Sequence, residues 1–201
     1  RLEHALGEVQ LKAAQLEESL QRVEQMAATD PLTGLYNRRH FGKVIEQLFA
    51  EAQRYEKDLS CVMIDLDGYK QLNDSYGHQI GDQLLVTAGK VISANMRRMD
   101  VAARYGGDEF VLLLPHASCN EAKIVAGRIR DEFKAASGTV LKRPIGISMS
   151  VGIGSLSMSR PAAADQLVAM ADAALYAAKD AGRDRIMTAS EQMARPQRPA
   201  A

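Results

Sequence analysis

Acids stand in two stretches of this chain where burial would make them costly. The apolar run LSCVMIDLD (59–67) ends in Asp65 and Asp67 on either side of Leu66, so in a strand both carboxylates face the same way. Farther on, RYGGDEF places Asp108 and Glu109 after two glycines and before the apolar FVLLLP. Acids at the end of a buried strand are tolerated only when paired or bound to a metal. If the second stretch is a hairpin lying beside the first, three carboxylates converge, and one or two divalent cations are the natural compensation, as in metal-assisted phosphoryl transfer. Gly106 and Gly107 would then leave the backbone bare for a ligand. Taken alone, RYGGDEF is equally what a tight hairpin with a polar tip looks like. A calcium-binding EF-hand starting at Asp65 does not fit, because Lys70 stands where glycine is required and Tyr76 where glutamate is required. No G-x-x-x-x-G-K-[ST] phosphate loop occurs.

These acids need elements to hold them. The 201 residues, 46% of them apolar and 25% charged, allow one packed domain and an appendage. Along residues 1–28, Leu2, Leu6, Val9, Ala13, Leu16, Leu20, Val23 and Ala27 recur at alternating spacings of four and three, a heptad seam that predicts a dimeric coiled coil on a long N-terminal helix. Asp30-Pro31 and Thr33-Gly34 end it. A helix is expected from Arg39 to Tyr55, a buried strand over 59–67, and a helix over 77–96. Two strands follow around a two-residue Gly106-Gly107 turn, then a helix over 120–136, a strand within 144–156, a helix over 165–182 stopped by Gly182, and an edge strand over 183–188. That order predicts an α/β (α+β sandwich) fold of ferredoxin-like or palm type, an antiparallel sheet with flanking helices mainly on one face. The expected division is 1–28 coiled coil, 29–188 catalytic domain and 189–201 disordered tail.

Composition narrows the partners. Lys plus Arg and Asp plus Glu number 25 each, and this balance argues against a nucleic-acid partner. No apolar run is long enough for a membrane span. Cys61 and Cys119 read as reduced thiols of a cytoplasmic protein. Because the chain opens on Arg1, it reads as a piece of something longer, with an upstream sensor domain missing and a membrane-tethered parent left open.

Five ordered motifs, DPLTGLYNRR, MIDLDGYKQLNDSYGHQIGD, RYGGDEF, ISMSVGIG and ADAALYAAKDAGR, make residues 30–187 resemble the GGDEF domain of diguanylate cyclases, which join two GTP into cyclic di-GMP with release of two pyrophosphates. The resemblance implies two Mg²⁺ (or Mn²⁺) per half-site on Asp65, the Leu66 carbonyl, Asp108 and Glu109, with Asp108, Glu109 and Lys70 in the catalytic set. It implies guanine recognition by Asn73 and Asp82. The carboxylate would accept from N1–H and N2–H₂, a pattern adenine cannot offer. Phosphates would lie on Gly68, Tyr69, Lys70, Lys179 and Arg183. Lys179 and Arg183, four apart, are expected on one helix face. Arg97 and Asp100 match an R-x-x-D site for inhibition by the product. The family's reaction needs two domains facing each other, which gives the N-terminal coil the task of holding a homodimer.

Overall fold

The computed structural model describes residues 28–142 and 146–193, together with Lys12 alone in the N-terminal segment. The predicted coiled coil and the end of the tail lie outside the described residues.

The centre is β2 (Leu59–Leu66), every residue of which is buried. It pairs antiparallel with β4 (Glu109–Pro115) on one side and with β5 (Met149–Ser155) on the other. Outside these lie β3 (Val101–Arg104), antiparallel to β4, and two short edges, β1 (Tyr36–Asn37) and β6 (Ile186–Thr188), each parallel to its neighbour. The six-stranded order is β1-β3-β4-β2-β5-β6.

Alternation along β2 divides the interior in two. Val62, Ile64 and Leu66 pack under α3 (His78–Asn95) and α4 (Cys119–Val140), with Leu85, Ile92, Ile129 and Phe133. Cys61 and Met63 pack under α1 (Arg38–Arg54) and α6 (Ala164–Asp180), with Phe41, Ile45, Leu167 and Leu175. Both faces are therefore covered, not mainly one. The largely apolar run of β2, broken only by Ser60 and Asp65, is what burial on two faces requires. On β5, Gly152 brings α6 onto the sheet, since a Cβ there would meet Ala171 O and Leu175 N at 2.1 Å.

Local signals set the helix ends. Asn37 caps α1 by accepting from His40 N (2.9 Å), and Ser118 with Glu121 forms a capping box on α4. α6 ends in a Schellman motif, with Gly182 N bonded to Lys179 O and Arg183 N to Ala178 O. Three elements depart from expectation. A separate helix, α2 (Tyr69–Tyr76), fills what reads as a loop before α3. The strand before α5 (Leu156–Ser159) begins only at Met149. Residues 189–193 are not tail but a short helix, α7 (Ala189–Met193), anchored by the fully buried Ala189 and by Glu191, which pairs with Lys123 at 2.8 Å.

Candidate active site

Register decides which carboxylates meet. Asp65, the last acid of β2, stands directly opposite Glu109, the first residue of β4, on the face covered by α1 and α6. Like charges facing across antiparallel strands repel. Leu66 N donates to Asp108 O (3.3 Å), which ties the loop to the end of β2. Lys179, in the last turn of α6, sets its Nζ 2.6 Å from Asp65 Oδ2. Burial pushes the Asp65 carboxyl up from 3.8 to about 6; Lys179 pulls it down, and Asp108 and Glu109 push it up again. One ammonium thus answers three carboxylates. That imbalance, with oxygen donors only, suits Mg²⁺ or Mn²⁺, which is held through one or two protein carboxylates plus substrate phosphates. Among the described residues, no three acidic, His or Cys side chains already form a metal cage.

The GGDEF turn is not the two-residue hairpin expected. Tyr105 N and Gly106 N both donate to Glu109 O (2.8 and 3.3 Å), which leaves Gly106, Gly107 and Asp108 as the tip. Neither glycine has positive φ, so backbone freedom is not their purpose. A Cβ on Gly106 would come 2.6 Å from Glu109 Oε2, whereas one on Gly107 would meet nothing within 4 Å. The first glycine lies against the Glu109 carboxylate, and the second leaves the turn open.

Gly68, left-handed at φ 72, turns the chain from β2 into α2, and no side chain caps the amides that follow at Tyr69 and Lys70. An uncapped helix start of this kind suits phosphate. Asn73 lies on α2 against Gly81 of α3; a Cβ on Gly81 would fall 1.8 Å from Asn73 Oδ1. That oxygen is buried and, among the described residues, has no hydrogen-bond partner. An unmet buried acceptor costs about 1–3 kcal/mol, which a ligand's donor would recover. Asp82, exposed, is the next residue along α3. Arg183 lies beyond the end of α6 with φ 62, so it does not share a helix face with Lys179, contrary to the spacing argument. The Schellman turn intervenes. Arg183 and Lys70 are both exposed.

A family model described as "Diguanylate cyclase, GGDEF domain" matches residues 27–185. The chain belongs to the GGDEF family. It is 37% identical over 170 residues to diguanylate cyclase DgcP of Pseudomonas aeruginosa, covering 85% of this chain and 25% of DgcP. With diguanylate cyclase DosC of Escherichia coli it shares 38% identity, over 78% of this chain and 34% of DosC. The chain therefore spans only about a quarter to a third of these relatives. Among solved structures, the coiled coil and GGDEF domain of DgcB from Caulobacter crescentus, in complex with c-di-GMP, superposes with TM-score 0.73 at 29% identity, over 93% of this chain and 98% of that one.

Two further features of this GGDEF domain bear on the site. Arg97 and Asp100 shape the turn between α3 and β3. Asp100 Oδ2 accepts from Arg97 N (2.7 Å) and Asp100 N donates to Arg97 O (3.0 Å). They border a cavity of about 370 Å³, shared with Gly34 and Tyr36 of the incoming chain. The second feature went unread in the sequence. Arg104 donates through Nε and Nη2 to Gly107 O (3.1 and 2.6 Å) while its Nη1 pairs with Asp30 at 3.3 Å. Asp30 in turn holds Thr33 N and Oγ1 (2.8 and 2.7 Å). One guanidinium thus fixes both the turn entering the domain and the tip bearing Asp108. The only sequence signal for it is the Arg that opens RYGGDEF. Arg104→Ala is expected to lower kcat by about tenfold to a hundredfold with KM little changed, and Arg104→Lys to recover part of the loss. Steady-state kinetics of both variants checks this positioning role.

Proposed function

We propose that this domain is a diguanylate cyclase that condenses two GTP into cyclic di-GMP, each protomer of a homodimer contributing one GTP. The observation that carries the reading is the cluster of Asp65, Glu109 and Asp108 with Lys179, in a chain of this family. Asp65, the Leu66 carbonyl, Asp108 and Glu109 are the residues to hold two divalent cations. The bound cations would neutralise the reacting phosphate and make the attacking 3′-hydroxyl more acidic. The chain's own groups do the rest. Lys179, Lys70 and Arg183 supply positive charge for the triphosphate, and the amides after Gly68 supply donors. Asn73 and Asp82 read guanine, and the unpartnered Asn73 oxygen supports a ligand that brings a donor. A single domain offers only half of the reacting pair. The heptad seam of residues 1–28 supports a coil-held dimer, which raises the effective concentration of the second half-site. The incoming turn is pinned to the GGDEF tip through Asp30 and Arg104, so a change in coil splay has a direct path to Asp108.

Incubating the dimer with GTP and Mg²⁺ should yield cyclic di-GMP and two pyrophosphates, and ATP should yield no cyclic dinucleotide. A protein that binds GTP or cyclic di-GMP without turnover would be a receptor instead. Arg97 and Asp100 are proposed to bind the product, Arg97 clamping phosphate or a guanine edge. Arg97→Ala should raise the half-inhibitory cyclic di-GMP concentration about tenfold or more with initial rates unchanged. Unaltered inhibition would remove this site.

A further inference from the structure

The sheet face that carries Asp65 is covered by α1 and α6, yet these helices do not close on each other along their first halves. Between them lies a groove of about 490 Å³. Its floor is apolar, built from Phe41, Ile45, Met63 and Val168, and Tyr105 and Glu109 close one end. The volume is that of a small-molecule site.

Packing within the chain does not call for this width. Gly42 forms the α1 lip, in ordinary helical backbone, and a Cβ there would meet nothing within 4 Å. Glycine inside a helix weakens it relative to alanine. Here neither a left-handed turn nor a close neighbour calls for glycine, and its bare Cα leaves the lip of the groove open.

Charge selects the occupant. Glu46, Asp165 and Asp172 are exposed on the rim and Glu109 is at the end, while the lining cation, Arg38, lies over the Tyr105 ring at 4.5 Å. Four carboxylates against one guanidinium repel a nucleotide and favour a cation. We propose that the groove binds a small organic cation, an amidinium, guanidinium or amine on a flat apolar body, sharing Glu109 with the acid cluster at one end and otherwise lined by none of the residues assigned to guanine or phosphate. If the cyclase reading holds, a ligand touching Glu109 would also depress turnover, but occupancy is measured without turnover and stands or falls apart from it.

The test titrates the ¹⁵N-labelled 201-residue chain with benzamidine, with benzoate as the charge-reversed probe. Benzamidine should shift the Gly42 and Ala169 amides saturably with Kd of about 1 mM or lower, and benzoate should leave them unmoved. Gly42→Leu, which fills the groove, should weaken benzamidine about tenfold, and the Asp165→Asn/Asp172→Asn double variant about fivefold. Gly42→Ala should raise Tm by about 2–4 °C. Equal binding of benzoate, shifts confined to another region, or undiminished binding by Gly42→Leu would overturn the proposal. So would a lower Tm for Gly42→Ala, since the fold itself would then need the gap.

Discussion

Asp65→Asn is expected to abolish cyclic di-GMP synthesis, by about a thousandfold or more, and to make the metal-free protein more stable. Both effects come from one carboxylate. Asp65 is 9% exposed, faces Glu109 across the strands and titrates at about 6 rather than 3.8, so ionising it works against folding. The sign follows from the raised folded value. The penalty is absent below about 4 and complete above about 6, so the metal-free domain loses stability as pH rises through that window. Asn carries no charge to bury. The gain at pH 7 is roughly 1–3 kcal/mol, since the raised value is already the net of burial and repulsion against the pull of Lys179, and each kcal/mol moves Tm by about 2–4 °C. Mg²⁺ should raise the Tm of the parent protein and leave that of Asp65→Asn almost unchanged. Asp108→Ala should be equally inactive without the stability gain, because Asp108 sits on the half-exposed tip. Calorimetry with and without Mg²⁺, paired with product quantification, separates the two. An Asp65→Asn variant that is both active and destabilised would remove the metal-site reading.

Asp82→Ala should lower kcat/KM for GTP about a hundredfold or more, through loss of the carboxylate proposed to accept from guanine N1–H and N2–H₂. ATP should be used poorly by the parent protein and no differently after the same change, so that discrimination collapses from the GTP side. Asn73→Ala is expected to cost less catalytically and to stabilise the ligand-free fold, because it deletes a buried oxygen that has no partner. Competition assays with GTP and ATP on both variants check the assignment. A parallel fall for the two nucleotides would place Asp82 outside base recognition.

The active-site acids were legible because their signals are local. An apolar run ending in Asp65, glycines before Asp108 and Glu109, and Lys179 near a helix end are each visible within a few residues. The α/β alternation was legible for the same reason. The motif set also marked Asn73 and Asp82, but not that the Asn73 side-chain oxygen is buried without a partner against Gly81.

What tertiary structure alone decided are relations between distant positions. That Asp65 opposes Glu109 depends on the β2–β4 register, which the whole apolar pattern of both strands sets. That Arg104 spans Asp30 and Gly107 needs β3 beside β4 and the incoming turn folded against them. A four-residue spacing was read as one helical face for Lys179 and Arg183, and the Schellman turn between them broke that rule. The sequence by itself determined which groups can carry charge, metal and phosphate, because side-chain chemistry is fixed residue by residue. Which of them meet, and the burial that, with the neighbouring carboxylates adding to it, lifts Asp65 to about 6, was decided only when two strands 44 residues apart paired and took the acid out of water.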